Sequence, residues 1–337
     1  MPSADTRTLE VPAIDIEAFR LGGADDRREV ARQVANAFET IGFATVTGHG
    51  IERTSIDRMF ETARAFFDEP SDVKLSYVPT EPGAPGYYSL ASGSLAATLG
   101  EETPPDLKES FTIGPVDVPD DPYYRHPDAR RWFPDNQWPP LPGFAEVWSE
   151  HYRATTRFAM TMTEICAVAL DLPADYFAPW FDRQNSTLSV INYPEQKRKP
   201  EPGQLRAGAH SDYGSLTLLL KEKGGSGLQV RAADGSWVDV LPSKDAFIVN
   251  IGDMLAEWTN DRWVSTVHRV ANPVSDVGGE ESRRMSCAYF LQPNYDSVIS
   301  PLPSCVDEAH PPRYEPITAA GHLLAKMEKQ YASKPGS

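Results

Sequence analysis

Residues 207–220 read AGAHSDYGSLTLLL and carry the most informative pattern in the chain. His210 and Asp212 stand two positions apart, directly before an apolar run at 216–220 that predicts a buried strand. On an extended backbone, side chains at this spacing point to the same face, so their ligand atoms can reach one point in space. His268 follows Asp212 after 55 residues, in another β-branched stretch. That is enough chain for a set of strands to return alongside the first.

Two histidines and one carboxylate form a ligand set typical of metal sites with open positions. The set is the facial triad of non-haem Fe(II) enzymes, which leaves three metal positions for substrate and oxygen. It would also suit a catalytic zinc ion, with water as the fourth ligand. The triad alone leaves both metals open.

Arg284 and Ser286 lie downstream in SRRMSCAYF, and Arg284 follows His268 by 16 residues. They are again two positions apart on a strand-like segment and therefore share a face. A guanidinium group and a hydroxyl group together are suited to holding a carboxylate. A hydrolytic zinc site does not need such a clamp, whereas an enzyme that binds 2-oxoglutarate does.

With these motifs the chain resembles the isopenicillin N synthase-like family of 2-oxoglutarate-dependent Fe(II) oxygenases. The resemblance covers nearly the whole chain. It rests on the joint spacing of NYP at 192–194, HSD at 210–212, HRV at 268–270 and RMS at 284–286, with GHGI at 48–51 and ESF at 109–111 as further landmarks.

The resemblance implies an oxidoreductase that uses Fe(II), 2-oxoglutarate and O2, with ascorbate as a candidate reductant. His210, Asp212 and His268 would hold the metal, and Arg284 and Ser286, with Tyr193, would bind the co-substrate. The expected reaction oxidises an unactivated C–H bond of a small-molecule substrate, by hydroxylation as the default, and releases succinate and CO2.

Three other interpretations stay open from the sequence. In an isopenicillin N synthase-like or ethylene-forming oxidase, Arg284 and Ser286 would hold the carboxylate of the substrate instead. A non-catalytic jelly roll could bind a small carboxylate, although it would have no reason to keep three metal ligands. A zinc hydrolase is disfavoured because no spare general base stands beside the triad.

The composition limits the partners and the compartment. With 32 basic and 48 acidic residues, the net charge of −16 argues against nucleic acid and anionic membranes as partners. Three scattered cysteines predict no disulfide framework, and we find no signal peptide and no run near the ~20 apolar residues of a membrane span. We therefore expect a cytoplasmic protein; the sequence does not indicate its oligomeric state.

The periodicity of the chain changes from helical to strand-like at residue 186. Before it, apolar residues at helical spacing predict helices at 25–41, 53–67 and 144–170, with strands at 9–16 and 43–47. Residues 79–105 predict a loop bordering the active site, and 115–142 an irregular surface connection. A last helix at 317–331 is expected across the mouth of the barrel.

From 186 to 290, eight short strand-like stretches predict a two-sheet jelly roll. The expected fold is mixed α and β, a double-stranded β-helix core with flanking N-terminal and C-terminal helices. We divide the chain into an N-terminal non-haem dioxygenase region (1–118), a connecting segment with the long helix (119–184), the jelly-roll core (185–295) and a C-terminal extension (296–337). A hairpin of the strands of His268 and Arg284 would bring metal and clamp together.

Several other residues receive a provisional role. Aromatic and amide side chains are candidates for the substrate pocket, namely Tyr87, Tyr88, Phe111, Phe290 and Gln292. His49, at a turn, is expected to be structural rather than a ligand. Arg269 is expected to face away from the site, as is Asn192, whose side chain alternates with that of Tyr193, and Asp253 is expected to cap a turn.

Overall fold

A computed structural model of the chain describes residues 10–222, 227–243, 245–273 and 282–332. Its helices are α1 (Glu17–Leu21), α2 (Ala24–Thr40), α3 (Arg53–Phe67), α4 (Ser71–Leu75), α5 (Pro122–Arg125), α6 (Phe144–Ala169), α7 (Ala178–Phe181), α8 (Asp253–Trp258) and α9 (Ala319–Ala332). Short 3-10 helices lie at Leu95–Leu99, Pro127–Ala129 and Pro303–Cys305.

The strands are short and concentrated after α7. They are β1 (Ala13–Asp15), β2 (Phe43–Thr47), β3 (Gly86–Tyr88), β4 (Glu109–Ile113), β5 (Thr187–Tyr193), β6 (Ala207–His210), β7 (Leu216–Lys221), β8 (Leu228–Arg231), β9 (Trp237–Asp239), β10 (Phe247–Ile251), β11 (His268–Val270), β12 (Arg284–Leu291), β13 (Val298–Ile299) and β14 (Ile317–Thr318).

The strands form two principal sheets. The large sheet has the order β1-β2-β10-β7-β12-β5-β4-β3, and the small sheet has the order β6-β11-β8-β9. The predicted jelly-roll core is therefore confirmed, and all eight predicted strands after residue 186 are present. The large sheet also recruits four strands from the N-terminal part of the chain, which extend it on both edges.

The helices cover the large sheet. The predicted apolar face of α2 is buried at Val30, Val34, Ala37 and Phe38. Both α2 and α3 pack on the 26-residue α6. Burial of these apolar faces, rather than intrinsic helix propensity, supplies most of the stability of such helices. None of the helices in the described ranges has the length and apolar character needed to cross a bilayer.

The expected hairpin of β11 and β12 is wrong. Strand β11 pairs with β6 and β8 in the small sheet, whereas β12 pairs with β5 and β7 in the large sheet. The chain between them changes sheets instead of turning back, and its residues 274–281 lie outside the described ranges, as do Gly224 and Gly225, where a turn was predicted. The predicted metal ligands and the predicted carboxylate clamp therefore lie on different sheets, and both line the cavity between them.

The two long connections both reach the space between the sheets. Within 79–105, residues 81–85 and Leu95 line the central cavity, as expected of a loop that borders the site. The segment 115–142 was expected to be a surface connection only, yet its Arg130, Arg131, Trp132 and Pro134 also line the cavity. Helix α9 lies over the same opening through Leu323 and Met327, as predicted.

Candidate metal centre and co-substrate pocket

The small sheet brings the three predicted metal ligands together. His210 ends β6, His268 begins β11, and the two residues are direct partners in the antiparallel register. Asp212 follows two residues after His210, and one ligand atom from each of the three side chains lies within 4.8 Å of the other two. Each histidine Nε2 is 3.8 Å from Asp212 Oδ1. That spacing leaves room for one ion between three ligand atoms.

Backbone carbonyls orient both imidazole rings. His210 Nδ1 lies 2.8 Å from the carbonyl oxygen of Gly208, and His268 Nδ1 lies 3.1 Å from that of Thr266. Because a carbonyl can only accept, each Nδ1 carries the hydrogen and each Nε2 keeps its lone pair. Both Nε2 lone pairs are then available to a metal ion. A hydrogen bond from the other ring nitrogen to a backbone carbonyl is a common way to orient a histidine ligand.

Two residues that the motif analysis did not identify hold the carboxylate of Asp212. Thr217 Oγ1 donates to Asp212 Oδ2 at 2.6 Å, and Asn250 Nδ2 donates to the same oxygen at 2.8 Å. Oδ1 is thereby directed toward the histidines. A signal was present in the sequence, since both are polar residues within otherwise buried apolar strands, where a polar group requires a partner.

The electrostatics at His210 and Asp212 favour the protonation states that bind a cation. Burial and the neighbouring His268 hold the pKa of His210 below its ordinary value. Burial alone would raise the pKa of Asp212, but the two histidines and the donors Asn250 and Thr217 outweigh it and lower that pKa. A neutral imidazole at His210 and an ionised carboxylate at Asp212 are the forms that bind a metal ion.

The donor set therefore fits an Fe(II) ion. Two imidazole nitrogens and one carboxylate oxygen converge from a single edge of the small sheet, and the opposite side opens into the cavity. This one-sided arrangement matches the facial geometry that leaves positions for other ligands. Within the described ranges it is the only cluster of three such side chains.

Across the cavity, the large sheet presents the predicted carboxylate clamp. Arg284 and Tyr193 are direct partners on β12 and β5, and the guanidinium carbon lies 4.7 Å from the centre of the tyrosine ring. Ser286 is buried two residues further along β12. Burial lowers the pKa of Arg284 and raises that of Tyr193. All three line a cavity of about 400 Å³ that also contains the triad.

A lysine beside the triad was not anticipated. Lys108 lines the cavity, with its Nζ 3.7 Å from the buried carboxylate of Asp106. Burial lowers the pKa of Lys108, and the charge of Asp106 opposes the shift. Asp106 also accepts from the backbone N–H of Gly208, at 2.9 Å, and so supports the strand that carries His210. No spacing in the sequence pointed to this pair.

The residues proposed for the substrate pocket divide into two groups. Phe290 and Gln292 line the cavity. Phe111 is instead fully buried in an aromatic cluster, and Tyr87 is buried with its hydroxyl group on Glu109. The hydroxyl of Tyr88 donates to the backbone of Ala84. The pocket assignment was wrong for Phe111, because its position on β4 faces α3 and α6. Tyr87 and Tyr88 instead line a neighbouring cavity that also reaches Phe290.

Two provisional structural assignments are confirmed. His49 Nε2 contacts the carbonyl oxygen of Asp245, and its ring packs on Phe247. Arg269 faces away from the site, stacked over Trp237.

Asn192 and Asp253 also lie in structural positions. Asn192 donates to Glu109 on the opposite face of β5 from Tyr193. Asp253 is the first residue of α8 rather than a turn cap, and it accepts from Ser211, Ser265 and Lys326.

Comparison with known proteins shows the family to which the chain belongs. Residues 11–141 match the family model of the N-terminal region of the non-haem dioxygenases in morphine synthesis, and residues 185–293 match that of the 2OG-Fe(II) oxygenase superfamily. The 2-oxoglutarate-Fe(II) type oxidoreductase hxnY of Emericella nidulans is 32% identical over 95% of this chain and 90% of its own length. The 2-oxoglutarate-dependent dioxygenase citB of Monascus ruber is 33% identical over 99% of both.

Solved structures give the same result. A full-length Neurospora crassa protein in complex with alpha-KG (2-oxoglutarate) superposes with a TM-score of 0.83 at 31% identity, covering 96% of this chain and 97% of that one. A putative 2OG-Fe(II) oxygenase family protein of Caulobacter crescentus gives 0.81 at 31% identity, covering 95% and 99%. The chain therefore belongs to the 2-oxoglutarate- and Fe(II)-dependent oxygenase superfamily, as a non-haem dioxygenase that uses Fe(II), 2-oxoglutarate and O2.

Proposed function

We propose that His210, Asp212 and His268 hold the iron, that Arg284, Ser286 and Tyr193 hold the far carboxylate of 2-oxoglutarate, and that the enzyme hydroxylates a C–H bond of a small molecule. The observation that carries the proposal is the placement of the two groups on facing sheets around one cavity. A linear 2-oxo diacid can bridge them, with its 2-oxo acid end toward the triad and its other end toward Arg284.

Each protein group then has a definite task. Both histidines offer Nε2 because backbone carbonyls fix the hydrogen on Nδ1. Thr217 and Asn250 keep Asp212 ionised and oriented. When bound, iron supplies the oxidative chemistry that releases succinate and CO2 and activates oxygen. The cavity lining is largely apolar, and a surrounding of low dielectric constant strengthens the charge-assisted contact of Arg284 with a carboxylate.

The substrate is proposed to be a small molecule bound at the far end of the same cavity. Two further complexes of the Neurospora crassa protein contain thymine and 5-formyluracil beside alpha-KG, which shows the size of ligand that a structural neighbour accommodates. A cavity of about 400 Å³ suits a ligand of this size beside the co-substrate. Apolar contacts from Trp132, Phe290 and Leu323 are available to its carbon skeleton.

The proposal keeps the division of the chain into regions 1–118, 119–184, 185–295 and 296–337. It also keeps the expected cytoplasmic location, supported by the fact that all three cysteines are free.

The test is succinate formation from 2-oxoglutarate with Fe(II), ascorbate and oxygen, for the wild type and Arg284→Ala. We expect slow turnover in the wild type that is lost in the variant. Arg283→Ala is the matched control, because Arg283 points to the other side of the sheet and contacts Asp68 and Asn192.

Direct binding of 2-oxoglutarate to the anaerobic Fe(II) protein complements the turnover assay. An iron-loaded protein that neither binds nor consumes 2-oxoglutarate would favour an oxidase in which Arg284 and Ser286 hold the substrate carboxylate.

A further inference from the structure

Two carboxamides line the cavity with a side-chain oxygen that has no hydrogen-bond partner in the part of the chain that the structure describes. Asn185 is 5% exposed and Gln292 is half-buried. Among the described residues, nothing donates a hydrogen bond to Asn185 Oδ1 or to Gln292 Oε1. Both residues line the same cavity as the triad. Because a buried amide without a partner is costly, such groups call for an explanation. Neither residue has a part in the mechanism above.

The sheet register places the two carboxamides side by side. Thr187 is the direct partner of Phe290 at the paired ends of β5 and β12. Continuing the antiparallel register by two residues on each strand places Asn185 opposite Gln292. The backbone N–H of Gln292 donates to Ser186 Oγ at 2.9 Å, which holds these strand ends together.

The two carboxamides face the cavity on the β5–β12 ribbon, meaning these two paired strands and their continuation, which also carries the carboxylate clamp. Alternate residues of β12 and its continuation line the cavity, namely Arg284, Ser286, Ala288, Phe290 and Gln292. At ~3.4 Å per residue, Gln292 lies about 20 Å along the ribbon from Ser286. The clamp therefore occupies one end of the ribbon and the carboxamides occupy the other, where the co-substrate does not reach.

Gly214 brings the carboxamide of Gln292 close to the triad loop. A Cβ atom at Gly214 would lie 2.5 Å from Gln292 Nε2 and 2.8 Å from Oε1. The missing side chain thus allows the carboxamide to lie directly on the backbone two residues after Asp212. A molecule held by Gln292 is therefore next to the metal ligands and beyond the co-substrate.

We propose that Asn185 and Gln292 bind the substrate, and that the substrate carries an amide or imide, with an N–H beside a C=O. This inference rests on the proposed function and adds the substrate class to it. Each carboxamide offers one acceptor and two donors, so it pairs with an N–H and a C=O at the same time. The apolar residues Trp132, Phe290 and Leu323 remain for the carbon skeleton.

The test measures binding of matched probes to the protein loaded with Fe(II) and 2-oxoglutarate under nitrogen. The probes are thymine, glutarimide and 2-piperidone, the fully N-methylated form of each, and cyclohexanecarboxylic acid. Their binding is measured by calorimetry. We expect N–H probes to bind, and N-methylation to weaken binding by about tenfold because it removes the donor. The expected loss in Asn185→Leu and Gln292→Met is similar.

Two controls separate this inference from the proposed function. Gln229→Met removes a carboxamide that pairs with Asp239 and Arg269 outside the cavity, and it should bind the probes as the wild type does. The visible absorption of the anaerobic Fe(II)–2-oxoglutarate complex should be unchanged in Asn185→Leu and Gln292→Met. Its absence from the wild type would instead defeat the proposed function.

Three results would overturn the inference while that complex still forms. One is that no N–H probe binds, and another is that N-methylation has no effect on binding. The third is that both cavity variants bind the probes as tightly as the wild type, which would assign the carboxamides a purely structural role.

Discussion

Thr217 Oγ1 donates to Asp212 Oδ2 at 2.6 Å, from a strand whose neighbouring residues are leucine. This contact fixes the carboxylate without occupying the oxygen that faces the histidines. Outer contacts of this kind typically change metal affinity by about 10–100-fold when they are removed.

We expect Thr217→Val to weaken Fe(II) binding by roughly tenfold, because the valine keeps the shape but not the donor. Anaerobic Fe(II) titration of the purified protein measures this. Thr217→Ser retains the hydroxyl group and serves as the control. A valine variant with wild-type affinity would show that Asn250 alone orients Asp212.

Ser286→Ala should affect the co-substrate and leave the metal unaffected. The hydroxyl group lies on the large sheet, whereas all three proposed metal ligands lie on or shortly after strands of the small sheet. Loss of one hydrogen bond to a charged carboxylate should weaken 2-oxoglutarate binding by about tenfold. The affinities for 2-oxoglutarate and for Fe(II) are both measured on the same preparation of the variant and of the wild type. A parallel loss of iron would contradict the separation of the two groups.

Lys74→Met should destabilise the fold strongly. Lys74 and Glu109 form an ion pair at 2.8 Å with side chains that are 10% and 7% exposed, and Glu109 also accepts from Asn192 and Tyr87. Removing the cation leaves a buried carboxylate, at a cost of about 3–5 kcal/mol in the free energy of unfolding. Urea unfolding measures it.

The double variant Lys74→Met/Glu109→Gln is the control for this prediction, because it removes both charges and should recover much of the lost stability. A single variant within about 1 kcal/mol of the wild type would contradict the importance of the pair, since that is the range of exposed ion pairs.

His151 should make stability depend on pH below neutrality. Burial lowers the pKa of this α6 residue to about 4, and the neighbouring His49 adds to the shift. The unfolded chain, with an ordinary histidine pKa of ~6.5, therefore binds more protons than the folded chain between the two values. Stability is fully present above pH ~6.5 and is lost as the pH falls toward 4.

From this residue alone, about 2 kcal/mol should be lost between pH 7 and pH 5. His151→Gln should lose correspondingly less over that interval, measured by urea unfolding at both pH values. His310→Gln is the control, because that histidine is exposed. Equal pH dependence in the wild type and His151→Gln would show that His151 titrates normally.

The sequence was sufficient to predict the helices and strands of the core and the three residues that converge on one point. Strand-like periodicity interrupted by Gly and Asp predicted all eight core strands, and the i, i+2 spacing of His210 and Asp212 required them to share a face. The pairing of His268 with His210 could not be predicted in this way, because register between distant strands depends on the whole sheet. The wrong hairpin expectation for β11 and β12 has the same cause.

Cavity residues that belong to no local sequence pattern could not be predicted from the sequence. Lys108 and Asn185 acquire their positions from the way the large sheet closes over the cavity, and nothing in their neighbourhood marks them. Thr217 and Asn250 were within reach, since a polar residue inside a buried strand needs a partner. Phe111 shows the opposite error, because an aromatic side chain near a motif is more often part of the core.

Because the triad lies on one sheet and Arg284 on the other, the distance between them depends on the spacing of the two sheets. Face-to-face sheets are held at a spacing of ~10 Å by the side chains between them. The span between the metal and the guanidinium group is therefore set by the core rather than by a loop. In the proposed binding mode, a diacid one carbon shorter or longer than 2-oxoglutarate would fit this span less well, so the packing that stabilises the jelly roll would also select the length of the co-substrate.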